Sequence, residues 1–266
     1  MFLARALLVA ALFLTSCTSY QSDDYDRAQE AIDKKHYRIA VNYLDHAIKR
    51  SPQTLIGIKA AREAARLSLY ETKDYKKAVE YYRQLVLYSK DPAERITAQK
   101  EVATIYFDHL QSYKEAIIEF SKLLQMTHLD FDQAKYKLSI ARAHYYLNNF
   151  FQAESEINEI LRLKIDDQMR FNTLILQGNI LVAQKNYLRA AEIFRNVIRD
   201  YSEMAKKENV SLTLAVCYEE SQDYVEAIKM LEQLRSSYTP VEYIDLRIKR
   251  LKERQKNQPG AKGIRK

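Results

Sequence analysis

At near-constant intervals along the chain an aromatic residue is followed three positions later by alanine: Tyr37–Ala40, Tyr75–Ala78, Tyr113–Ala116, Phe150–Ala153, Tyr187–Ala190 and Tyr224–Ala227. The alanines stand 38, 38, 37, 37 and 37 residues apart. Four residues after each comes Leu44, Tyr82, Phe120, Ile157, Phe194 or Leu231, and three further on Ala47, Leu85, Leu123, Ile160, Val197 or Leu234. Apolar residues at this spacing mark one face of a helix. A unit of this size cannot bury that face alone, so successive units must stack on one another. No local signal limits the fold as strongly.

Each aromatic is preceded by a second helical segment. Nine residues before the aromatics stand Ala28, Arg66, Thr104, Ala141, Gly178 and Ala215. Most are small, which lets two helices approach closely. Short polar links such as Lys73-Asp74, Asn148-Asn149 and Gln222-Asp223 supply the turns between them. Four glycines and four prolines in 266 residues argue against a β-sandwich or barrel, and 47% hydrophobic residues argue against a disordered chain. Two cysteines, Cys17 and Cys217, make neither a disulfide framework nor a four-cysteine zinc site. The expected fold is therefore all-α.

The pattern resembles the tetratricopeptide repeat, two antiparallel helices per unit. The resemblance covers about residues 21–240 and implies a superhelical solenoid of six helix-turn-helix repeats over 24–240. The second-helix motif matches in every copy. The first-helix motif is weaker: the family's usual Trp is absent, and Arg66 stands at a small-residue position. The family's Pro after the second helix is matched by Pro52, and roughly by Pro92 and Pro240. The repeat exceeds the family's usual length by a few residues, which places the extra length in turns or helix ends. After Pro240, the residues Val241, Ile244, Ile248 and Leu251 recur at helical spacing with charges between them, as a capping helix over 241–256 requires.

The N-terminus reads as an address. Arg5 precedes an apolar run from Ala6 to Leu14, followed by Thr15, Ser16 and Cys17. The run is shorter than the ~20 residues that span a bilayer. A leader over 1–16 fits a signal peptide. Leu14-Thr15-Ser16-Cys17 resembles the lipobox of bacterial lipoproteins, which implies cleavage before Cys17 and lipid on that residue, with 17–23 as a short tether. Thr18 rather than Asp follows the Cys, which resembles the outer-membrane sorting class. The expected location is the outer membrane, with the body facing the periplasm.

The net charge of +7 is a property of one end. Residues 247–266 hold nine Lys or Arg and one acid, Glu253, so the rest of the chain sums to −1. The balance implies no nucleic-acid surface on the body. The basic tail, 257–266, reads as a solvated, disordered end that could also meet anionic lipid or glycan.

Chemistry is sparse. The only glycines before the tail are Gly57 and Gly178, so there is no phosphate-binding loop. The five histidines, His36, His46, His109, His128 and His144, lack the i,i+3 or i,i+4 spacing of a helical metal pair. His144 and Cys217 read as packing residues. No base is matched to a nucleophile. The chain is expected not to be an enzyme, with no catalytic residue, metal or cofactor.

Function is then expected from surface. In the resembling family the first helices line a concave groove that binds ligands. Carried over, these positions are Glu63, Leu67, Tyr70 and Glu71 in the second copy, and Glu101, Ile105, Asp108 and His109 in the third. The fourth contributes Lys135, Leu138, Arg142, Tyr145 and Tyr146, and the fifth Asn172, Ile175, Asn179 and Val182. The groove is expected to be acidic early, basic and aromatic in the fourth copy, and polar-apolar in the fifth. The carboxylate clamp of chaperone-binding relatives is not reproduced. The whole resembles lipid-anchored scaffolds such as the lipoprotein subunit of the β-barrel assembly machine and the pilotins of type IV pilus secretins. That implies envelope protein partners, a barrel-assembly component or a secretin, and membrane contact through Cys17. Two alternatives stand beside it: a regulator docking peptidoglycan enzymes, and a small-ligand-binding or enzyme-subunit lipoprotein.

Overall fold

A computed structural model of the protein describes residues 20–236 and 238–258. The leader, the proposed lipid site at Cys17 and the tail from 259 onward lie outside the described residues. Everything described is helix or turn. Helix α1 covers 20–33. It is followed by α2 (Tyr37–Arg50), α3 (Leu55–Arg66), α4 (Tyr75–Tyr88), α5 (Pro92–Thr104) and α6 (Tyr113–Met126). Then come α7 (Asp130–Tyr146), α8 (Phe150–Ile160), α9 (Asp167–Ala183), α10 (Tyr187–Asp200), α11 (Ser202–Lys207), α12 (Val210–Glu220), α13 (Tyr224–Leu234) and α14 (Val241–Lys256). The chain divides into two compact units, 1–128 and 129–266. Among the described residues, the first holds three helix pairs, the second three more with α11 and α14.

Each second helix opens on its motif aromatic, and all six motif alanines are fully buried. In unit 1 the core gathers Leu44, Ala61, Ala65, Leu67 and Leu85, with Val79, Val102 and Ile105 beside them. In unit 2 one cluster centres on Leu138, Ile157, Ile160 and Ile180, and another on Phe194, Leu214, Leu231, Ile244 and Leu251. The last cluster takes in α14, whose apolar stripe closes the end of the stack. Arg247 and Arg254 of α14 reach back to Glu219 of α12, at 2.8 Å each.

Helices α3 and α5 each end in a π-turn, Leu67–Glu71 and Ile105–His109. There the Thr72 and Leu110 amides donate to the carbonyls of Leu67 and Ile105, both at 2.9 Å. A π-turn holds one more residue than an α-turn. These two turns sit within the two 38-residue spacings, so each absorbs the extra residue. Counting back from the aromatic therefore slips by one in these copies. The small residue against the second helix is Ala65, not Arg66, and Ala103, not Thr104; both alanines are fully buried. The irregular entries in the first-helix motif were a register error, and the small-residue rule holds in all six copies.

Every first-to-second helix turn contains one left-handed residue. The residue two before each aromatic, Lys35, Lys73, Gln111, Asn148, Lys185 or Gln222, is left-handed, with φ between 50° and 64°. The next amide closes the turn: His36 donates to the Ala31 carbonyl, Asn149 to His144, Asn186 to Leu181 and Asp223 to Tyr218, each at 2.8 Å. In the third copy the bond from Ser112 reaches Tyr106, one residue further, because the π-turn intervenes. Asp74, Asp166 and Asp223 cap the helices that follow them.

Candidate functional site

The first-helix faces are treated unit by unit. In unit 1 the π-turn slip moves the groove register. Leu67 and Ile105 are completely buried, so they belong to the core and not to a groove. Their places are taken by Arg66, which is exposed, and Thr104, which is half-buried. One turn earlier the register falls on Arg62 and Lys100, beside Glu63 and Glu101. The face expected to be acidic is mixed in charge.

Its charges are largely used internally. Arg66 donates to Glu63 at 3.1 Å, and Arg62 bridges from α3 to Glu94 of α5 at 2.7 Å. The Glu94 carboxyl is held below its ordinary value, first by the hydrogen bond from Arg62 and against the pull of burial. Burial raises the Tyr82 phenol, with Glu101 and Tyr70 adding to the rise and Arg66 opposing it. Tyr70 is itself exposed. Asp108 is exposed, and His109 stacks on Tyr75 with ring centroids 4.4 Å apart.

Deeper in unit 1 lies a polar node that sequence reading missed. Glu119 is only 4% exposed, yet it accepts from Arg83 at 2.8 Å, Gln99 at 2.8 Å and Lys122 at 2.9 Å. Burial disfavours its charge, but the bonds from Lys122, Gln99 and Arg83 outweigh that and leave the carboxyl below its usual range. The node ties α4, α5 and α6 together. It is structural, since three donors occupy the carboxylate. The only trace in the sequence is an acid at an inward helical position.

In unit 2 the register is unbroken. Lys135, Arg142 and Tyr146 lie at i, i+7 and i+11 on α7, which places them on one stripe, and all three are exposed. Tyr145 is part-buried, its ring edge-on to Tyr146 at 5.6 Å and tilted against Phe150 at 6.2 Å. It serves packing more than surface. On α9, which packs against α7, Asn172 and Asn179 form a matching i, i+7 pair and are half-buried. Asn172 accepts from Gln168 at 3.1 Å. Leu138 is buried and leaves the candidate surface. The structure thus brings Lys135, Arg142, Tyr146, Asn172 and Asn179 onto two neighbouring helices.

His144 and Cys217 pack inward. Burial lowers the His144 imidazole pKa, partly offset by Glu156, and its Nδ1 has no hydrogen-bond partner among the described residues. Burial pushes the Cys217 thiol up to about 11, which makes it a poor nucleophile. Short helix α11 was not foreseen either. It fills the long link between α10 and α12 and borders a cavity of about 540 Å³ lined by Ser202, Lys206, Asn209 and Tyr238. That cavity shares no residue with the first-helix candidates. The ten-residue step from Asp200 to Val210 was the available signal.

Comparison with known proteins agrees with this architecture. Two profiles described as tetratricopeptide repeat match residues 25–94 and 181–247. No curated protein matches in sequence. Among solved structures, a tetratricopeptide repeat protein from Parabacteroides merdae superposes with a TM-score of 0.55 at 16% identity, covering 90% of this chain and 89% of that one. PilW, described as a widely conserved type IV pilus biogenesis factor, gives 0.53 at 16% identity over 86% and 98%. YrrB, described as having an unusual peptide-binding site, gives 0.52 at 16% identity over 78% and 97%. At such identity the likeness establishes the fold. With six helix pairs, buried motif alanines and two matching profiles, the chain is an all-α tetratricopeptide-repeat protein.

Proposed function

We propose that the protein is an interaction scaffold, held at the outer membrane by lipid on Cys17, whose repeats bind protein partners in the periplasm and assemble or stabilise an envelope machine. The observation that carries the binding reading is the pair of stripes in unit 2. Lys135, Arg142 and Tyr146 stand exposed beside Asn172 and Asn179 on packed first helices. Tyr and Arg are the side chains that most often anchor interfaces, and Asn adapts its amide to peptide groups. Arg142 and Lys135 have no ion-pair partner among the described residues, so they favour a partner segment with acidic or carbonyl-rich character. PilW supports the choice of machine by analogy of fold alone. A secretin or a barrel-assembly component is the partner class this reading names.

The test is site-specific photocrosslinking from Lys135 and Asn179 in the native cells, with the full chain, followed by mass spectrometry. Capture of a secretin or barrel-assembly protein, lost in Arg142→Glu/Tyr146→Ala, supports the reading. Capture of peptidoglycan enzymes at the same positions transfers the assignment to the regulator alternative. Absence of any crosslink dependent on these residues refutes the groove.

A further inference from the structure

The end of unit 1 that carries residue 20 presents three exposed apolar side chains. Tyr20, Leu55 and Leu87 are 60%, 70% and 66% exposed. All three belong to this one end. Gln21 of α1 bonds to the Ala47 and Ser51 carbonyls at the end of α2, and Thr54, next to Leu55, donates to Gln21 at 2.9 Å. Leu87 lies in the last turn of α4, which runs antiparallel to α3 and so finishes where α3 begins. Arg50 lies over the Tyr20 ring, 5.5 Å from its centroid.

Most acids of this end are engaged; Asp26 is exposed and has no ion-pair partner among the described residues. Asp23 pairs with Arg27 at 3.0 Å, Asp24 with Arg50 at 2.7 Å, and Glu94 with Arg62, while Asp91 caps α5 through the Ala93 amide. Lys90 and Arg95 are exposed and have no ion-pair partner among the described residues. Lys59 is exposed and unpaired in the same way, so the uncommitted charge, set against Asp26, is net positive, and it sits beside exposed aromatic and aliphatic side chains. That combination suits the headgroup layer of an anionic bilayer. Cys17 precedes Tyr20 by three residues, so lipid on Cys17 would hold this end within about 11 Å of the membrane. The opposite end of unit 1 has exposed apolar groups too, Ile39 and Tyr70, but it is the far end from the tether.

We propose that the end of unit 1 bearing Tyr20, Leu55, Leu87, Lys90 and Arg95 lies directly on an anionic membrane surface, so that the repeats stand on the bilayer in a fixed orientation. This rests on the lipid-anchor reading of Cys17. The experiment uses the full chain with Cys17 intact, reconstituted in vesicles of phosphatidylethanolamine and phosphatidylglycerol. The mass of the N-terminal peptide reports first whether Cys17 carries lipid. A bare Cys17 refutes the anchor and removes the short tether with it. An environment-sensitive label is then attached in separate variants, Leu55→Cys, Leu87→Cys and Lys76→Cys, the buried Cys217 being protected from reaction. Quenching by headgroup-level spin-labelled lipid is expected at Leu55 and Leu87 and not at Lys76, which lies roughly 17 Å further along α4. Lipid-bearing, vesicle-bound protein whose labels at Leu55 and Leu87 are quenched no more than at Lys76 overturns the membrane surface and leaves the anchor standing. Neutralising Lys90→Gln and Arg95→Gln together is expected to lower the docking equilibrium read at Leu87 about 30-fold, at about one kcal/mol per basic group. Unchanged quenching in that double variant overturns the role given to the two cations.

Discussion

The Phe194 ring stands against the α-carbon of Gly178, where a β-carbon would come within 2.5 Å of Cζ. The contact joins α9 to α10 inside the fifth repeat. In the first and sixth copies the equivalent positions hold alanine and a smaller partner, Ala28 with Leu44 and Ala215 with Leu231. Gly178→Ala should therefore destabilise the protein by about 1–3 kcal/mol through overpacking. Phe194→Leu in the same chain should recover part of the loss. Denaturant midpoints of the two single variants and the double variant check this, and strictly additive losses would contradict the contact.

The π-turn register makes a sharp contrast between neighbours. Ala65 is fully buried and Arg66 is half-exposed. Ala65→Leu should cost about 1–3 kcal/mol or more, whereas Arg66→Leu should stay within about 0.5 kcal/mol. A larger loss at Arg66 than at Ala65 would place the small-residue position where the aromatic count put it. The measurement is a pair of urea melts.

Left-handed lysine and glutamine at the helix turns are strained. An L-residue in that region costs about 1–2 kcal/mol, and glycine removes the clash while gaining unfolded-state entropy. Lys73→Gly and Gln222→Gly are each expected to raise stability by about 0.5–1 kcal/mol. Asn148→Gly should gain less, since Asn tolerates the conformation better. Thermal midpoints rank the three.

Acid sensitivity has an identifiable source in Glu119. Its folded pKa lies below the ordinary carboxyl value, so it binds protons more readily in the unfolded state. Its stabilisation is complete above that ordinary value and is lost as pH falls through the folded pKa. Glu119→Gln should lower stability at neutral pH and flatten the decline below about pH 4.5. Stability measured from pH 7 to pH 3 reads both effects.

His144 works at milder acidity. Its folded pKa is lowered, so the neutral ring is favoured in the native state. The associated stability is present above about pH 6.5 and is lost as pH drops below it. His144→Met should reduce the slope of stability between pH 7 and pH 5 while leaving the helix content unchanged. An unaltered slope would mean the ring stays neutral or solvated in both states.

The period and the second-helix face were readable because Ala40, Leu44 and their equivalents are fixed by burial, which writes itself into residue type. The turns were readable from Asn148 and Gln222 for the same local reason. Arg66 and Leu67 were misassigned because a π-turn is a backbone event with no side-chain signature. The 38-residue spacing was its only trace. In the unbroken repeats the same carry-over placed Lys135, Arg142 and Tyr146 on an exposed stripe. It failed at Leu138, where packing of α7 against α8 takes the side chain. The Glu119 node depends on three residues far apart in the chain, which no periodicity links.

A residue added to a regular helix rotates everything beyond it by about 100°. The wide turns after Arg66 and Thr104 take up that rotation on the spot. The following hairpin then begins in phase, with Tyr75 and Tyr113 seated as in the shorter copies. A one-codon insertion at these points therefore leaves the neighbouring copies undisturbed, and unequal repeat lengths become compatible with a uniform stack. The end of each first helix is where this architecture can vary in length without losing its partners.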